Sequence, residues 1–452
     1  MAPEAGNSRV IERFNKGLAG VDDVLKATTS AIRKNASNWQ AAKACLDALQ
    51  QCRHPVTRET VTPNVIIFNA LISACEKAGR TDDALQMFAD LEEGRLARGV
   101  TPNTITYNAV ISACGTAGRA DDALRMFSHL EEHGPDHGVF PNATTYGAVI
   151  SACGKAGRAD DALRMFAHLE EHGSARNVFP NTMIYNAVIS ACGKAGRAGD
   201  ALRMFAHLEK HGPAHGVFPD TITYNAAISA CEKAGRADDA LRIFAHLEEN
   251  GPARGAFPDT ITYSAAISAC EKAGRADDAL RMFARLEEHG PARGVYPNTI
   301  TYNAVISACE KAGKQDAVSE LLNKAIASKV FKASLGFDAK LNKLDLHESN
   351  VVTIRANSGR ERGISSPAAK AIFRRLANEG AINDKTQIVV GHRGGDALKE
   401  TIEQCMRDQG WVPVHPLGLS GMPNPGALVG STAAAVARPR EGQGSRSRTS
   451  LR

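Results

Sequence analysis

TITYNAVISACGTAGRADDALRMFSHLEEHGPDHGVFPN, residues 104–142, decides the fold, because near-copies of it fill the middle of this 452-residue chain. The copies recur every 39 residues, and a period of 20–50 residues is typical of stacked repeats. Two residue types mark the interval: the cysteines Cys75, Cys114, Cys153, Cys192, Cys231, Cys270 and Cys309, and the prolines Pro63, Pro102, Pro141, Pro180, Pro219, Pro258 and Pro297.

Each unit is predicted to contain two helices. The apolar residues of the first helix have i, i+3, i+4 and i+7 spacing and share one face; in the quoted copy they are Tyr107, Val110, Ile111 and Cys114. The Asn or Asp after each Pro is a favourable N-cap, and Gly118 suits the end of the helix. The acidic residues at 121–122 favour the start of the second helix. Neither helix can bury its apolar face alone, so neighbouring units must stack.

The sequence therefore predicts an all-α superhelical solenoid of helix-turn-helix repeats, followed by a small α/β domain. The second domain follows from strand patterns near 341–347, 386–390 and 411–414 that alternate with helical patterns near 367–379 and 397–409. The predicted boundaries are 1–22 for a targeting or disordered segment, 23–64 for a degenerate repeat, 65–298 for six complete repeats, 299–334 for a degenerating seventh repeat and cap, 335–430 for the α/β domain, and 431–452 for a disordered basic tail.

Composition excludes several classes of protein. Aromatic residues are only 5% of the chain, which argues against a nucleic-acid surface built mainly on stacked aromatic rings, and a net charge of +5 is too small for a histone-like polycation. No run of about 18 apolar residues occurs, so no membrane span is predicted. The repeat cysteines lack the short spacing of zinc ligands, so we interpret them as small buried residues and predict neither a metal site nor a cofactor.

Charge is unevenly distributed along the chain. The six complete repeats carry 23 basic and 29 acidic residues, a net charge of −6, whereas residues 1–64 carry +3 and residues 299–452 carry +8. Any affinity of the repeats for an anion must therefore come from one ordered face. The basic C-terminal region can hold phosphates without selecting a sequence.

The consensus TYNAVISACGKAGRADDALRMF, followed by PN or PD, resembles the pentatricopeptide repeat family over about residues 23–330. Tetratricopeptide repeats differ, because they have a period of 34 and a Trp-Leu-Gly-Tyr pattern. The present unit is four residues longer than the usual pentatricopeptide unit. The extra residues fall in the loop near 134–139, where they are expected to widen the spacing at the loop edge and leave the helices intact.

The resemblance implies an organellar protein that binds single-stranded RNA and selects one base per repeat with two or three side chains. The family's base-selecting residues are the one after the Tyr and the last of the unit. Here they pair as Asn69 with Asn103, Asn108 with Asn142, Gly147 with Asn181, Asn186 with Asp220, Asn225 with Asp259, and Ser264 with Asn298, and Asn303 follows alone. By resemblance the target is pyrimidine, pyrimidine, any base, U, U, A and pyrimidine, a short U-rich motif.

Two further sets of positions come from the same resemblance. The base-sandwiching residues would be Ile66, Ile105, Thr144, Met183, Ile222, Ile261 and Ile300. The phosphate-binding residues would be Lys77, Lys155, Lys194, Lys233, Lys272 and Lys311, with Thr116 in the second unit. Simpler interpretations stay open, because Asn favours a helix start and Lys favours a helix end whether or not RNA binds.

The C-terminal segment resembles the small MutS-related domain that often follows pentatricopeptide repeats. The resemblance rests on LDLH at 344–347, an altered glycine motif at 391–395 and the turn Asn424-Pro425-Gly426. Some members of that family cleave nucleic acid. By resemblance, Asp345 and His347 would be the catalytic pair, with His392 and Arg393 near the phosphate, in a metal-assisted or His-dependent endoribonuclease. RNA contact without chemistry is the favoured interpretation.

Three hypotheses follow for function. The first is sequence-selective binding of single-stranded RNA in organellar RNA processing, stabilisation or translation, with other RNA-processing proteins as partners. The second is an RNA endonuclease, and the third is a protein-binding helical scaffold. The resemblance implies a chloroplast or mitochondrial location. The N-terminal acids Glu4, Glu12 and Asp22 are untypical of a transit peptide, so a cytoplasmic location remains the alternative.

Overall fold

The computed structural model describes residues 4–16, 19–53, 61–95, 97, 99–328, 330, 343–345, 387–389, 403–408, 411–414 and 427–432. The chain divides into two compact units. The first contains Met1–Ala234 and Ala245–Phe257, and the second contains Gly235–Phe244 and Pro258–Arg452. No helix among these described residues is both long and apolar enough to cross a membrane.

Seven consecutive helix pairs confirm the predicted two helices per repeat. The first helices are α4 (Val65–Lys77), α6 (Thr104–Thr116), α8 (Ala143–Lys155), α10 (Thr182–Lys194), α12 (Thr221–Lys233), α14 (Thr260–Lys272) and α16 (Thr299–Lys311). The second helices are α5 (Thr81–Glu92), α7 (Ala120–His133), α9 (Ala159–His172), α11 (Ala198–His211), α13 (Ala237–Asn250), α15 (Ala276–His289) and α17 (Gln315–Ala327).

The N-terminal region is helical. It contains α1 (Glu4–Asn15), α2 (Val21–Lys34) and α3 (Trp39–Gln50). The helices α2 and α3 lie mostly within the segment 23–64, whose assignment as a degenerate repeat stays a prediction. Disorder over 1–22 is not what the structure shows between residues 4 and 15. Phe14 of α1 is buried in one cluster with Val24 and Ile32 of α2. This burial stabilises α1, although the local sequence of α1 does not predict a helix.

The predicted start and stop signals operate in every repeat. The Asn or Asp after each Pro accepts a hydrogen bond from a backbone N–H in the first turn, as Asn103 does from Thr106 at 3.1 Å. The first helices end with a glycine of positive φ, such as Gly118 at +72°. In the same turn the N–H of Arg119 donates to the carbonyl of Cys114 at 2.9 Å, which satisfies a terminal carbonyl of the helix.

Within each compact unit, the core of a repeat lies between its helices and those of the next repeat. The seven repeat cysteines are fully buried in it, which confirms their interpretation as small core residues. Aromatic rings connect neighbouring repeats, as in the edge-to-face pair of Phe88 and Tyr107 with centroids 4.7 Å apart. Such a pair contributes about 0.5–1.5 kcal/mol beyond the area that it buries.

Burial makes the repeat cysteines unreactive as thiolates. It raises the pKa of Cys75 to about 12 and the pKa values of Cys114, Cys192 and Cys309 to about 11. A raised pKa lowers the thiolate fraction, so iodoacetamide at pH 8 should modify none of these thiols in the folded protein and all of them in guanidinium chloride. Mass spectrometry of both samples measures the difference, and rapid labelling of native Cys114 would contradict the buried placement.

The inserted loop residues do not form an open loop. They form short 3₁₀ turns at Gly134–His137, Ser174–Arg176, Gly212–His215, Pro252–Arg254 and Pro291–Arg293. Each turn is preceded or opened by a glycine that approaches the backbone closely: a Cβ on Gly212 would lie 2.3 Å from the carbonyl oxygen of Val217. The turns end at a residue of positive φ, which is Asn177 in one of them, a residue type that tolerates this conformation.

Four strands form a sheet in the C-terminal region: β1 (Lys343–Asp345), β2 (Gln387–Val389), β3 (Trp411–Val414) and β4 (Ala427–Thr432), in the order β1-β2-β4-β3. β1 and β2 are parallel, whereas β4 is antiparallel to both β2 and β3. β4 extends through Thr432, so the predicted tail cannot begin at 431. Residues 403–408 are helical within the predicted helix 397–409, and the predicted helix 367–379 lies outside the described residues.

Candidate nucleic-acid interface

Five of the seven first helices expose a large aliphatic side chain at their second residue. The exposed fractions are 51% for Ile66, 63% for Ile105, 59% for Met183, 64% for Ile222 and 50% for Ile261. Thr144 is also exposed, and Ile300 is half-buried. A large aliphatic side chain that stays exposed at the same position of successive repeats is available to a ligand. These residues are the predicted base-sandwiching set.

The predicted base-selecting partners lie next to each other in the first complete repeat. The amide nitrogen of Asn69 donates to Oδ1 of Asn103 at 3.3 Å. The hydroxyl of Thr106 donates to Oδ1 of Asn69 at 2.7 Å. The two amides come from residues 34 positions apart, and this network holds them side by side.

The fourth repeat has the same arrangement with a carboxylate. The amide nitrogen of Asn186 donates to Oδ1 of Asp220 at 3.2 Å, which fixes the orientation of the Asn186 amide. The oxygen Oδ1 of Asn186 is buried and no described residue donates to it, and the same is true of Oδ1 of Asn108 in the second repeat. A buried acceptor without a donor is costly.

The last residue of each unit is also the N-cap of the next helix. Asn142, Asn181, Asp220, Asp259 and Asn298 all accept from backbone N–H groups of the first turn. The helix-start interpretation of these residues is therefore correct. It does not exclude base selection, because capping uses one oxygen and leaves the amide nitrogen of Asn or the second oxygen of Asp.

Two repeats depart from this arrangement. Gly147 of the third repeat is buried and carries no polar side chain, and the exposed Thr144 beside it is small. Ser264 of the sixth repeat is only 8% exposed, and its hydroxyl donates to the carbonyl of Thr260 at 2.6 Å. Asn225 and Asn303 are half-buried at the equivalent positions of the fifth and seventh repeats.

The predicted phosphate-binding lysines are the last residues of their helices, and all six are exposed. Within the part of the chain that the structure describes, Lys77, Lys155, Lys194 and Lys233 make no ion pair, whereas Lys311 pairs with Glu271 at 2.5 Å. A helix rises about 1.5 Å per residue, so each lysine lies about 20 Å along the axis from the N-cap of its helix. The predicted base-selecting and phosphate-binding positions are thus separated along the helix.

Sequence comparison with protein families matches the region that contains this interface. The family described as "Pentatricopeptide repeat domain" matches residues 53–119, and the family described as "PPR repeat" matches 105–135 and 137–170. The family described as "Pentacotripeptide-repeat region of PRORP" matches residues 174–335. The helical array is a pentatricopeptide repeat array.

Several solved structures are similar to this chain. The pentatricopeptide repeat protein PPR10 from maize is 23% identical with a TM-score of 0.51, over 90% of this chain and 55% of that chain. PPR10 in complex with an 18-nucleotide psaJ RNA element gives 23% identity and a TM-score of 0.44, over 90% and 50%. The PPR domain of Arabidopsis thaliana protein-only RNase P 1 in complex with tRNA is 19% identical with a TM-score of 0.33, over 40% of this chain and 86% of that chain. This chain thus spans about half the length of the maize protein, and no curated protein sequence matches it.

The pentatricopeptide array contains a set of polar contacts that sequence reasoning missed. In the second repeat the hydroxyl of Tyr107 lies 3.1 Å from Nδ1 of His129, and Nε2 of His129 lies 3.4 Å from Glu92 of the preceding repeat. Burial raises the pKa of Tyr107 to about 12, so it keeps its proton. Equivalent contacts join Tyr146 to His168, Tyr185 to His207, and Tyr224 to His246. The recurrence of His every 39 residues was the sequence signal that could have predicted these contacts.

A second missed set is an ion-pair network between second helices. Arg119 binds Asp122 of its own helix and Asp82 of the preceding repeat, and Arg158 and Arg197 repeat the pattern. Asp122 is 7% exposed, and a buried carboxylate needs such partners. Arg119, Arg158 and Arg197 thus each connect two neighbouring repeats, whereas Arg236 pairs, among the described residues, only with Asp239 of its own repeat because position 199 is Gly.

Most of the predicted catalytic residues lie outside the part of the chain that the structure describes. Asp345 is the last residue of β1, where it aligns with Val389 of β2. His347, His392 and Arg393 lie outside the described residues. Asp345 stays a candidate from the resemblance alone, and the sheet is the element that positions it.

Proposed function

We propose that the pentatricopeptide array binds single-stranded RNA and selects bases one per repeat, without cleaving it. The observation that carries the proposal is the pairing of an exposed aliphatic side chain with a polar amide three residues later on the same helical face. Met183 and Asn186 are one such pair, and Ile105 and Asn108 are another. Bases stacked between successive aliphatic side chains would present their Watson–Crick edges to the amides.

The polar groups favour particular bases. In the fourth repeat, Oδ1 of Asn186 and the second oxygen of Asp220 are both acceptors, which suits the N3–H donor of uracil. In the first repeat, Asn69 and Asn103 retain amide hydrogens as donors, which suits the acceptors of a pyrimidine. The proposed target is pyrimidine, pyrimidine, any base, U, U, A and pyrimidine. Gly147 supports the unselected third position, whereas adenine at the sixth position rests on the family resemblance, because the Ser264 hydroxyl is buried and bonded to Thr260.

Affinity would come from ordered contacts, because the six complete repeats are net acidic. The exposed lysines at the ends of the first helices would neutralise the phosphates of the bound strand. The basic C-terminal region would add contacts that do not depend on sequence. PPR10, whose fold this array shares, has been solved in complex with an RNA element.

The biological setting is also proposed from the family. We place the protein in organellar RNA processing, stabilisation or translation, in a chloroplast or mitochondrion. The domain boundaries at 23, 65, 299 and 335 remain part of this proposal, as does a small MutS-related character for the C-terminal domain.

Selection of RNA ligands by the full-length chain from a random pool tests this function. Enrichment of a short motif with two adjacent uracils is expected, and double-stranded RNA of the same sequence should compete poorly. A pool without any enriched motif would contradict base selection and favour a protein-binding scaffold. Incubation of the selected RNA with the protein and with His347→Ala distinguishes the nuclease: cleavage by the parent chain alone would overturn the non-catalytic assignment.

A further inference from the structure

The inserted loops carry a feature that base selection does not use. Three consecutive loops of the first compact unit each place an exposed phenylalanine under a cationic or imidazole side chain of the next loop. The guanidinium of Arg176 lies 5.0 Å from the centroid of Phe140, and that of Arg254 lies 4.7 Å from Phe218. Between them, the rings of Phe179 and His215 stack at 4.5 Å and 21°. We call these six residues the loop row.

The loop row remains accessible to a ligand. Its phenylalanines are 42%, 37% and 38% exposed in chain order, and Arg176, His215 and Arg254 are exposed. Among the described residues, neither guanidinium forms an ion pair or donates to a carboxylate or carbonyl, although the backbone N–H groups of Arg176 and Arg254 donate to the carbonyls of Gly173 and Gly251. The loop segments 173–180, 212–219 and 251–258 contain no Asp or Glu, whereas the segment 134–141 that carries Phe140 contains Asp136. Glu209 is the acidic group that interacts electrostatically with Arg254. The row is therefore a local cationic and aromatic strip.

Stacking prepares the two guanidinium groups for an anion. A guanidinium held over a ring by a cation–π contact still has N–H donors that are not used by the ring, and these match the oxygens of a phosphate. The ring also restricts the side chain, so little rotational freedom is lost when a ligand binds. The loops themselves are held: the hydroxyls of Thr104 and Thr182 donate to the carbonyls of Phe140 and Phe218 at 3.4 and 3.3 Å.

The loop row is separate from the proposed phosphate contacts. Phe218 precedes the base-selecting Asp220 by two residues, whereas Lys233 lies at the opposite end of the same first helix. A strand whose bases reach the N-terminal ends of the helices has its phosphates toward the lysines. The phosphates of that strand cannot also follow the loop row.

We propose that the loop row is a second RNA-contacting strip, which binds the backbone of an RNA segment other than the one whose bases are selected. Its period equals that of the base-selecting pairs, so it presents regularly spaced donors to a polymer with regularly spaced charges. A phosphodiester strand supplies both the anions and the bases that stack on exposed phenyl and guanidinium faces. An acidic peptide supplies carboxylates without the bases.

The test measures how binding of an oligoadenylate of 24 nucleotides, a probe that matches only one selected position, depends on KCl. In the full-length chain, Arg176→Gln with Arg254→Gln should reduce the slope of log affinity against log salt by about 1.4, since each lost single-strand phosphate contact contributes about 0.7. The control pair Arg164→Gln with Arg203→Gln removes the same charge from second helices, where both side chains face Asp161 and Asp200. It should leave the slope unchanged.

Each other outcome decides against the loop row. Equal slopes for the two double variants would show that only bulk charge matters. A weaker complex of the Arg176→Gln, Arg254→Gln chain with the selected heptanucleotide would place the row within the base-selecting surface. If the Arg176→Gln, Arg254→Gln chain loses affinity for polyglutamate but binds oligoadenylate as the parent chain does, the row is assigned to an acidic peptide. If the parent chain selects no heptanucleotide, the proposed function fails, but the slope comparison still decides the loop row.

Discussion

Replacement of Ile105, Met183 and Ile222 together by serine is expected to weaken binding of the selected RNA by a factor of about 100 or more. Each side chain is 59–64% exposed, and burying that surface against a base is worth about 1–1.5 kcal/mol per residue. Three losses add to about 3–4.5 kcal/mol, and each 1.4 kcal/mol is about tenfold in affinity. Fluorescence anisotropy with labelled heptanucleotide measures the change.

The same triple variant should fold as stably as the parent chain. Side chains that are already exposed contribute little to unfolding free energy, so thermal unfolding by circular dichroism should stay within a few degrees. Replacement of Ala175, Ala214 and Ala253, which are exposed in the loops, by serine is the matched control for the three added hydroxyls. It should change neither the RNA affinity nor the thermal unfolding. An unchanged RNA affinity in the isoleucine and methionine variant would refute the sandwiching role.

Asp220→Asn is expected to change the base preferred at the fourth position from uracil to cytosine, by a factor of about 10–100. In the parent chain the second carboxylate oxygen of Asp220 can accept from N3–H of uracil, and it repels N3 of cytosine, which is an acceptor. An amide nitrogen in its place would donate to N3 of cytosine. Hydrogen bonds to charged groups are worth about 1.5–3 kcal/mol, which sets the size of the change.

The helix that Asp220 caps should not be affected, because Asn and Asp are about equally good N-caps. Asn103 and Asn142 already perform this role with the same geometry. The reciprocal variant Asn103→Asp is the matched control, and it should shift the first position toward uracil and leave the fourth unchanged. Competition between heptanucleotides that differ at one base measures the base preference at the first and at the fourth position in each variant. A uniform loss across all positions would mean that the residue only caps the helix.

Much of the fold was predictable from local patterns. The N-cap residues, the glycine after each first helix and the spacing of the buried face placed both helices of every repeat within a few residues of their observed ends. These signals act within one turn of chain, so they need no knowledge of neighbours. Repetition strengthened them, since seven similar segments carried the same pattern.

The candidate site was only partly predictable. Positions of the exposed aliphatic residues and of the base-selecting pairs followed from the family resemblance. The orientation of the amides did not, because it depends on contacts such as Asn186 to Asp220, between residues 34 apart. Burial of Ser264 and the helix at Glu4–Asn15 were also missed, since both depend on packing against other elements.

The sequence by itself determined the repeat, its two helices and the burial of its cysteines, because periodic apolar spacing and capping residues act locally. Tertiary structure decided which polar groups meet: His129 with Glu92 of the preceding repeat, Asp82 with Arg119 of the next, and Arg176 over Phe140. These partners are 36 or 37 residues apart, and stacking of one repeat on the next brings them together. Residues so far apart in the chain meet only when the repeats pack together, and a local sequence pattern does not specify that packing.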